Sequence, residues 1–127
     1  MDIVRKINNE LSVAGQITPE QFPQIIADGY KSIVNLRSPD EKGWLDDEKD
    51  KLEFLGLHYL NLPTKVDEIN HQSTLHVLKI INELPKPALI HCDNSIRSAA
   101  IALLYIATKQ GITFEKAIEL TANLGLI

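Results

Sequence analysis

The single cysteine of the chain, Cys92, sits in the run Ile90-His-Cys-Asp-Asn-Ser-Ile-Arg-Ser98, directly after the apolar residues Ala88-Leu89-Ile90. Arg97 follows five positions later, at the head of Ser98-Ala-Ala-Ile-Ala-Leu-Leu-Tyr-Ile-Ala107, a stretch without helix breakers. This layout predicts a strand, a short loop and a helix, with the thiol at the carboxyl end of the strand. Loop N–H groups between a strand and a helix converge on one point, and the helix N-terminus adds about half a positive charge there. Such a place stabilises a thiolate and attracts a tetrahedral oxyanion. The guanidinium of Arg97 offers phosphate oxygens a planar fork of donors. A cation so early in a helix is disfavoured by the dipole, and an anion nearby explains its placement. Taken singly, Cys92 reads as a small buried hydrophobe and Arg97 as a surface cap on the loop. Their spacing points to chemistry.

The rest of the chain has to hold that loop. Ser12–Ala14 is a short predicted strand, stopped at Gly15. Thr18-Pro19 starts a helix that runs to about Ala27, where Asp28-Gly29 stops it. Lys31–Leu36 is rich in β-branched residues and reads as a strand. Arg37–Leu45 is a polar loop, Asp46–Leu55 a charged helix stopped by Gly56, and Leu57–Leu62 the next strand. After the loop Thr64–Ile69, Asn70 can cap a helix carrying Leu75, Leu78, Ile81 and Leu84. Pro85 and Pro87 precede the strand Ala88–His91, and the helix Ser98–Lys109 follows the cysteine loop. Thr113 caps a last helix to about Ala122. Strands alternating with helices predict an α/β fold, a small, mostly parallel central sheet flanked by helices. Ligands in such sheets bind beyond the carboxyl ends of the strands, where Cys92 stands.

The composition sets bounds. At 127 residues, 44% hydrophobic and 24% charged, residues 1–127 form one expected domain. A net charge of −4 leaves no basic footprint for nucleic acid or an anionic membrane. No apolar stretch approaches the ~18 residues that span a bilayer. Met1-Asp-Ile-Val-Arg-Lys-Ile7 lacks the apolar core of a signal peptide. A lone cysteine permits no internal disulfide and fits a reducing compartment, so a cytoplasmic location is the expectation.

His-Cys-(loop)-Arg-Ser between a strand and a helix resembles the cysteine-dependent tyrosine and dual-specificity phosphatases. Most of that superfamily has five residues between Cys and Arg, whereas this chain has four: Asp93, Asn94, Ser95 and Ile96. Four is the pattern of a smaller bacterial branch, found alone or fused to beta-lactamase-like hydrolases. Gly15-Gln-Ile-Thr-Pro-Glu20, Val34-Asn-Leu-Arg37 and Tyr59-Leu-Asn-Leu-Pro63 are similar to that branch in order and spacing, so the resemblance covers about residues 10–110. It implies that Cys92 is the nucleophile and that the loop of His91, Asp93, Asn94, Ser95 and Ile96, with Arg97, binds phosphate. It further implies that Ser98 assists the thiolate and that His91 orients the loop. The implied reaction is two-step phosphoryl transfer on a phosphorylated protein or a small phosphate ester, without metal or other cofactor. Asp67, on the loop after the Leu57–Leu62 strand, stands where related phosphatases keep their acid; Glu68 and the Asp40/Glu41 pair rank behind it.

Two departures from the branch bear on activity. Gly is usual where Ser95 stands, because the loop turns its amides inward, and Ser is strained at positive φ. The neighbour Asn94 tolerates that conformation better and could take the turn instead. Arg is frequent where Asp93 stands, and a carboxylate beside Cys92 disfavours the thiolate and repels a phosphate dianion. Both point toward weak or lost turnover.

Blander readings fit the remaining polar residues. His71 and His76 are five apart, off a common helix face, and make no zinc pair. His58 is a strand residue, Trp44 packs on the surface, and Asp46-Asp47-Glu48 supplies favourable charge at a helix start. Two other functions stay open at this point. A pseudophosphatase would bind a phosphorylated partner or anion without turnover. A rhodanese-like sulfurtransferase also uses a strand–Cys loop–helix, and Asn35-Leu-Arg37…Glu41 partly imitates its Asp-x-Arg…Glu segment, but the Asp is missing.

Overall fold

The computed structural model of the chain describes residues 4–127; the reading of the N-terminal segment as free of a leader falls partly on residues 1–3, which lie outside the described residues. Five strands, β1 (Arg5–Lys6), β2 (Leu11–Ala14), β3 (Ser32–Asn35), β4 (His58–Asn61) and β5 (Ala88–His91), form one sheet in the order β1-β2-β5-β3-β4. β2, β5, β3 and β4 are parallel, and β1 adds an antiparallel edge. The fold is thus the mixed α/β arrangement that the alternation of strands and helices predicts.

Both faces of the sheet are covered, which is why its central strands are apolar without alternation. On one face Ile33 and Leu89 pack with Phe22 and Ile25 of α1 (Phe22–Ala27) and Leu52 of α2 (Glu48–Phe54). On the other, Val34 and Ile90 meet Leu78 and Ile81 of α3 (Ser73–Glu83) and Ile101 and Leu104 of α4 (Ile96–Lys109). α5 (Phe114–Asn123) adds Ala117 to that second cluster. Each fully buried Leu or Ile contributes roughly 1.5–3 kcal/mol, so β5, apolar towards both faces, is the best-anchored strand. Gly29 and Gly56, both at positive φ, end α1 and α2. No described helix is long and apolar enough to cross a membrane.

The boundaries correct the sequence reading in four places. β1 was unannounced, because two exposed basic residues carry no strand pattern. The stretch after Thr18 begins as a 3-10 turn (Pro19–Gln21) before α1. Asn70 does not cap α3; Gln72 occupies the N-cap. α4 begins at Ile96, two residues early, which places Arg97 inside its first turn. Thr113 does cap α5, its hydroxyl accepting the Lys116 N–H at 3.2 Å.

The register sets up the site. Ala14, His91, Asn35 and Asn61 are mutual partners across β2, β5, β3 and β4. The carboxyl ends of the four parallel strands therefore lie in one row, and Cys92 leaves from the centre of that row.

Candidate active site

The cysteine loop is tied down from both sides. Cys92 N–H donates to the Ala14 carbonyl (3.2 Å), Leu36 N–H to the His91 carbonyl (2.9 Å) and Gln16 N–H to the Asp93 carbonyl (3.1 Å). Cys92 is fully buried. Its Sγ accepts the Ser98 N–H at 3.4 Å and lies 3.6 Å from Ser98 Oγ. The Ser98 hydroxyl has its proton directed to the carbonyls of Ser95 (2.9 Å) and Ala14 (3.0 Å), and a rotation would redirect it to sulfur. Cys92, Ser98 and the first turn of α4 are thus brought together.

Ser95 takes the strained position itself, with φ 71° and ψ −7°. It is the one non-glycine at positive φ among the described residues. Asn94 does not take over the turn; its side chain accepts the Ile96 N–H at 3.1 Å.

Arg97 does not face open solvent. Nη1 donates to Glu41 Oε2 (2.9 Å) and to the Thr64 carbonyl (3.0 Å); Nη2 pairs with Glu41 Oε1 (2.7 Å) and Asp93 Oδ1 (3.0 Å). Each Nη nitrogen therefore has two oxygen partners, and Glu41 meets the fork with both oxygens, as a phosphate would. The Arg97 hydrogen bond holds the Glu41 carboxyl down at about 2, with further help from the Ser38 N–H and Arg37, against the opposing effect of burial. Glu41 in turn raises Arg97 further above its ordinary range. Burial pushes the Asp93 carboxyl up, but the bonds from Arg97 and the Asn94 N–H outweigh it, so Asp93 titrates below its usual range.

A cleft of about 530 Å³ opens over this cluster, lined by the polar Glu41, Lys65, Asp93 and Arg97 and by apolar residues including Val66, Ile96 and Leu126. Asp67 is exposed on a 3-10 turn (Val66–Glu68); its neighbours Lys65 and Val66 line the cleft and Asp67 does not. Asp40 is exposed and Glu41 is engaged with both arginines, so the acidic pair does not act as a unit.

A second layer lies behind the loop. His91 Nε2 lies 2.6 Å from Glu48 Oε2, with both side chains buried, and His91 Nδ1 is 3.3 Å from the Cys92 carbonyl oxygen. Gln16 and Asn35 donate to Glu48, at 2.7 and 3.4 Å. Asn35 bridges on to the Tyr59 hydroxyl (2.9 Å), which burial and the Glu48 charge push above the ordinary phenol range. Arg37 joins the layers: it donates to Gln16 Oε1 (2.6 Å), Glu41 Oε1 (3.2 Å) and the carbonyls of Gly43 and Lys42. Glu48 does stand in the first turn of α2, as the reading of the acidic run as helix-start charge expects, but its side chain is buried against the loop, which that reading did not foresee. The signal was its spacing: Glu48 is four residues before Leu52 and shares its buried face.

Comparison with known proteins agrees with this architecture. No protein-family model matches the chain. A beta-lactamase hydrolase-like protein of Agrobacterium fabrum is 28% identical over 103 residues, 78% of this chain and 24% of that protein, so the chain spans about a quarter of that relative's length. Among solved structures, a candidate phosphatase (DUF442) of Shewanella putrefaciens superposes with a TM-score of 0.76 at 21% identity, over 90% of this chain and 74% of that one. TpbA of P. aeruginosa, solved in complex with pTyr, gives a TM-score of 0.73 at 20% identity, over 98% of this chain and 74% of that one. With its Cys loop at the centre of a parallel sheet and these structures as its likenesses, the chain has the tyrosine-phosphatase-like fold.

Proposed function

We propose that the chain is a cysteine-dependent phosphate-monoester hydrolase of low turnover, acting on a phosphorylated protein or a small phosphate ester. The observation that supports it best is the environment of Cys92 Sγ, with the Ser98 N–H at 3.4 Å and its hydroxyl at 3.6 Å, in a loop that also delivers Arg97. In the first step the Cys92 thiolate attacks phosphorus and a sulfur–phosphorus bond forms as the ester oxygen leaves. Arg97 and the loop N–H groups balance charge on the equatorial oxygens. Asp67 supplies the proton to the leaving oxygen, its turn moving over the cleft that Lys65 and Val66 already line. Water then gives a proton to the Asp67 carboxylate and attacks phosphorus, the sulfur–phosphorus bond breaks, and phosphate leaves with the thiolate restored. The apolar side of the cleft suits an aromatic or apolar ester.

A second reading, a phosphate-binding module without turnover, is favoured by one observation: Cys92 is fully buried while carboxylates hold both Nη nitrogens of Arg97. Hydrolysis of p-nitrophenyl phosphate across pH 5 to 8 separates the two. The hydrolase reading expects turnover that Cys92→Ser abolishes, that Arg97→Ala lowers by about 10³, and whose basic limb is lost in Asp67→Asn. A folded wild type that binds phosphate and turns nothing over supports the module instead.

A further inference from the structure

Glu48 stands in the first turn of α2, where the dipole favours an acid, but its carboxylate is buried rather than left to solvent. Burying a charge is costly unless it is paired, and an apolar residue of similar volume is often as stable. Its three side-chain donors are not equivalent. Gln16 Nε2 also donates to the Ile17 carbonyl at 2.8 Å, and Asn35 Nδ2 also donates to the Tyr59 hydroxyl at 2.9 Å. Only His91 Nε2 has Glu48 as its sole partner. At 2.6 Å that bond is short, as charge assistance makes it. A carboxylate only accepts, so the bond fixes the proton on Nε2 and locks the ring plane. The other edge of the same ring, Nδ1, lies 3.3 Å from the Cys92 carbonyl oxygen. In a trans peptide the carbonyl and the next N–H point opposite ways. With the proton on Nε2, Nδ1 and the Cys92 carbonyl oxygen are both acceptors and make no hydrogen bond. The ring therefore exerts no pull on that carbonyl or on the Asp93 N–H, the first donor of the cysteine loop, at the other edge of the peptide.

We propose that Glu48 is a positioning residue for the cysteine loop, acting through His91 on the Cys92–Asp93 peptide. The inference rests on the reading of Cys92 as the nucleophile. Without Glu48 the Cys92 carbonyl is the remaining acceptor for the ring, the proton moves to Nδ1, and the peptide follows the new bond. A displacement on the order of 1 Å costs up to ~10²-fold in rate, and a smaller one about tenfold.

The test is Glu48→Met, which removes the acceptor while roughly keeping volume and leaves Gln16 and Asn35 their second partners. Two quantities are read on the folded protein: the ¹⁵N signals of the His91 ring, and kcat and KM for p-nitrophenyl phosphate. The expected result is an Nε2-protonated ring in the wild type, an Nδ1-protonated ring in the variant, and a kcat about tenfold lower at nearly unchanged KM. An unchanged tautomer, or an unchanged kcat, overturns the proposal. A purely structural Glu48 would lower thermal stability and leave kcat of the folded variant in place. Should the variant not fold, a wild-type ring protonated on Nδ1 alone overturns it equally. The ring signals need no turnover. Absence of hydrolysis in the wild type therefore counts against the hydrolase reading, while the tautomer result still decides whether Glu48 governs His91.

Discussion

Asp93 is one of the two carboxylates, with Glu41, that stand between Arg97 and a phosphate, and its charge can be removed without removing its shape. In Asp93→Asn the side chain can still accept the Asn94 N–H (2.8 Å in the wild type), while the ion pair to Nη2 at 3.0 Å is lost. The Asp93 side chain is 50% exposed, so the pair itself contributes at most about 1 kcal/mol. A phosphate dianion seated on the same Nη2 donor would sit roughly 4–5 Å from that carboxylate; with water-like screening each pair of unit charges at that distance is opposed by about 1 kcal/mol, so the dianion is opposed by up to about 2 kcal/mol. Salt reduces the second contribution, so about 2 kcal/mol in total is released by the substitution, or about thirtyfold in Kd. The assay is titration of the folded wild type and variant with orthovanadate or inorganic phosphate at low and high salt. Tighter binding by the variant, with the gain shrinking as salt rises, is the expected result. Equal or weaker binding by Asp93→Asn would mean that Asp93 swings aside at no cost, and the electrostatic argument would fail.

Other consequences are as direct. Ser95→Gly relieves an L-residue held at φ 71°; the ~1–2 kcal/mol of left-handed strain, less the extra chain entropy of glycine, leaves a gain of about 0.5–1 kcal/mol. A urea midpoint that falls instead would show that the serine conformation is unstrained. The Glu41 carboxyl ionises at about 2 in the folded chain against 4.5 ordinarily. Its folded value is depressed, so its contribution is complete above pH 4.5 and is lost as pH falls towards 2. The upper bound is about 3 kcal/mol, reduced to roughly 1–2 because the side chain keeps some solvent contact. Thermal unfolding of Glu41→Gln between pH 4.5 and 2 should therefore vary less with pH than that of the wild type; parallel curves would refute the linkage.

Much of this molecule was legible in its sequence, and the exceptions have physical causes. The four parallel strands announce themselves because both faces of the sheet are buried, which leaves apolar runs such as Ala88-Leu89-Ile90. β1 does not, because it pairs through its backbone alone and exposes Arg5 and Lys6. The cysteine loop was readable as one local run, while its positive φ, open between Ser95 and Asn94 in the sequence, falls on Ser95. The partners of that loop were not. Glu41 reaches Arg97 across 56 residues of sequence, a pairing that no local pattern encodes. Glu48 read only as favourable charge at a helix start, and its pairing with His91, 43 residues away, has no local signature. Asp67 remains a proposal carried by its place on the turn beside the cleft rather than by any contact.

The most direct test of the central claim is a rapid-quench experiment with phosphate-labelled p-nitrophenyl phosphate, followed by peptide mapping of the label. A thiophosphate on Cys92 in the wild type, absent from Cys92→Ser, is the predicted result. Folded, vanadate-binding protein that neither carries label on Cys92 nor releases p-nitrophenol would contradict it and leave the phosphate-binding module as the reading of this site.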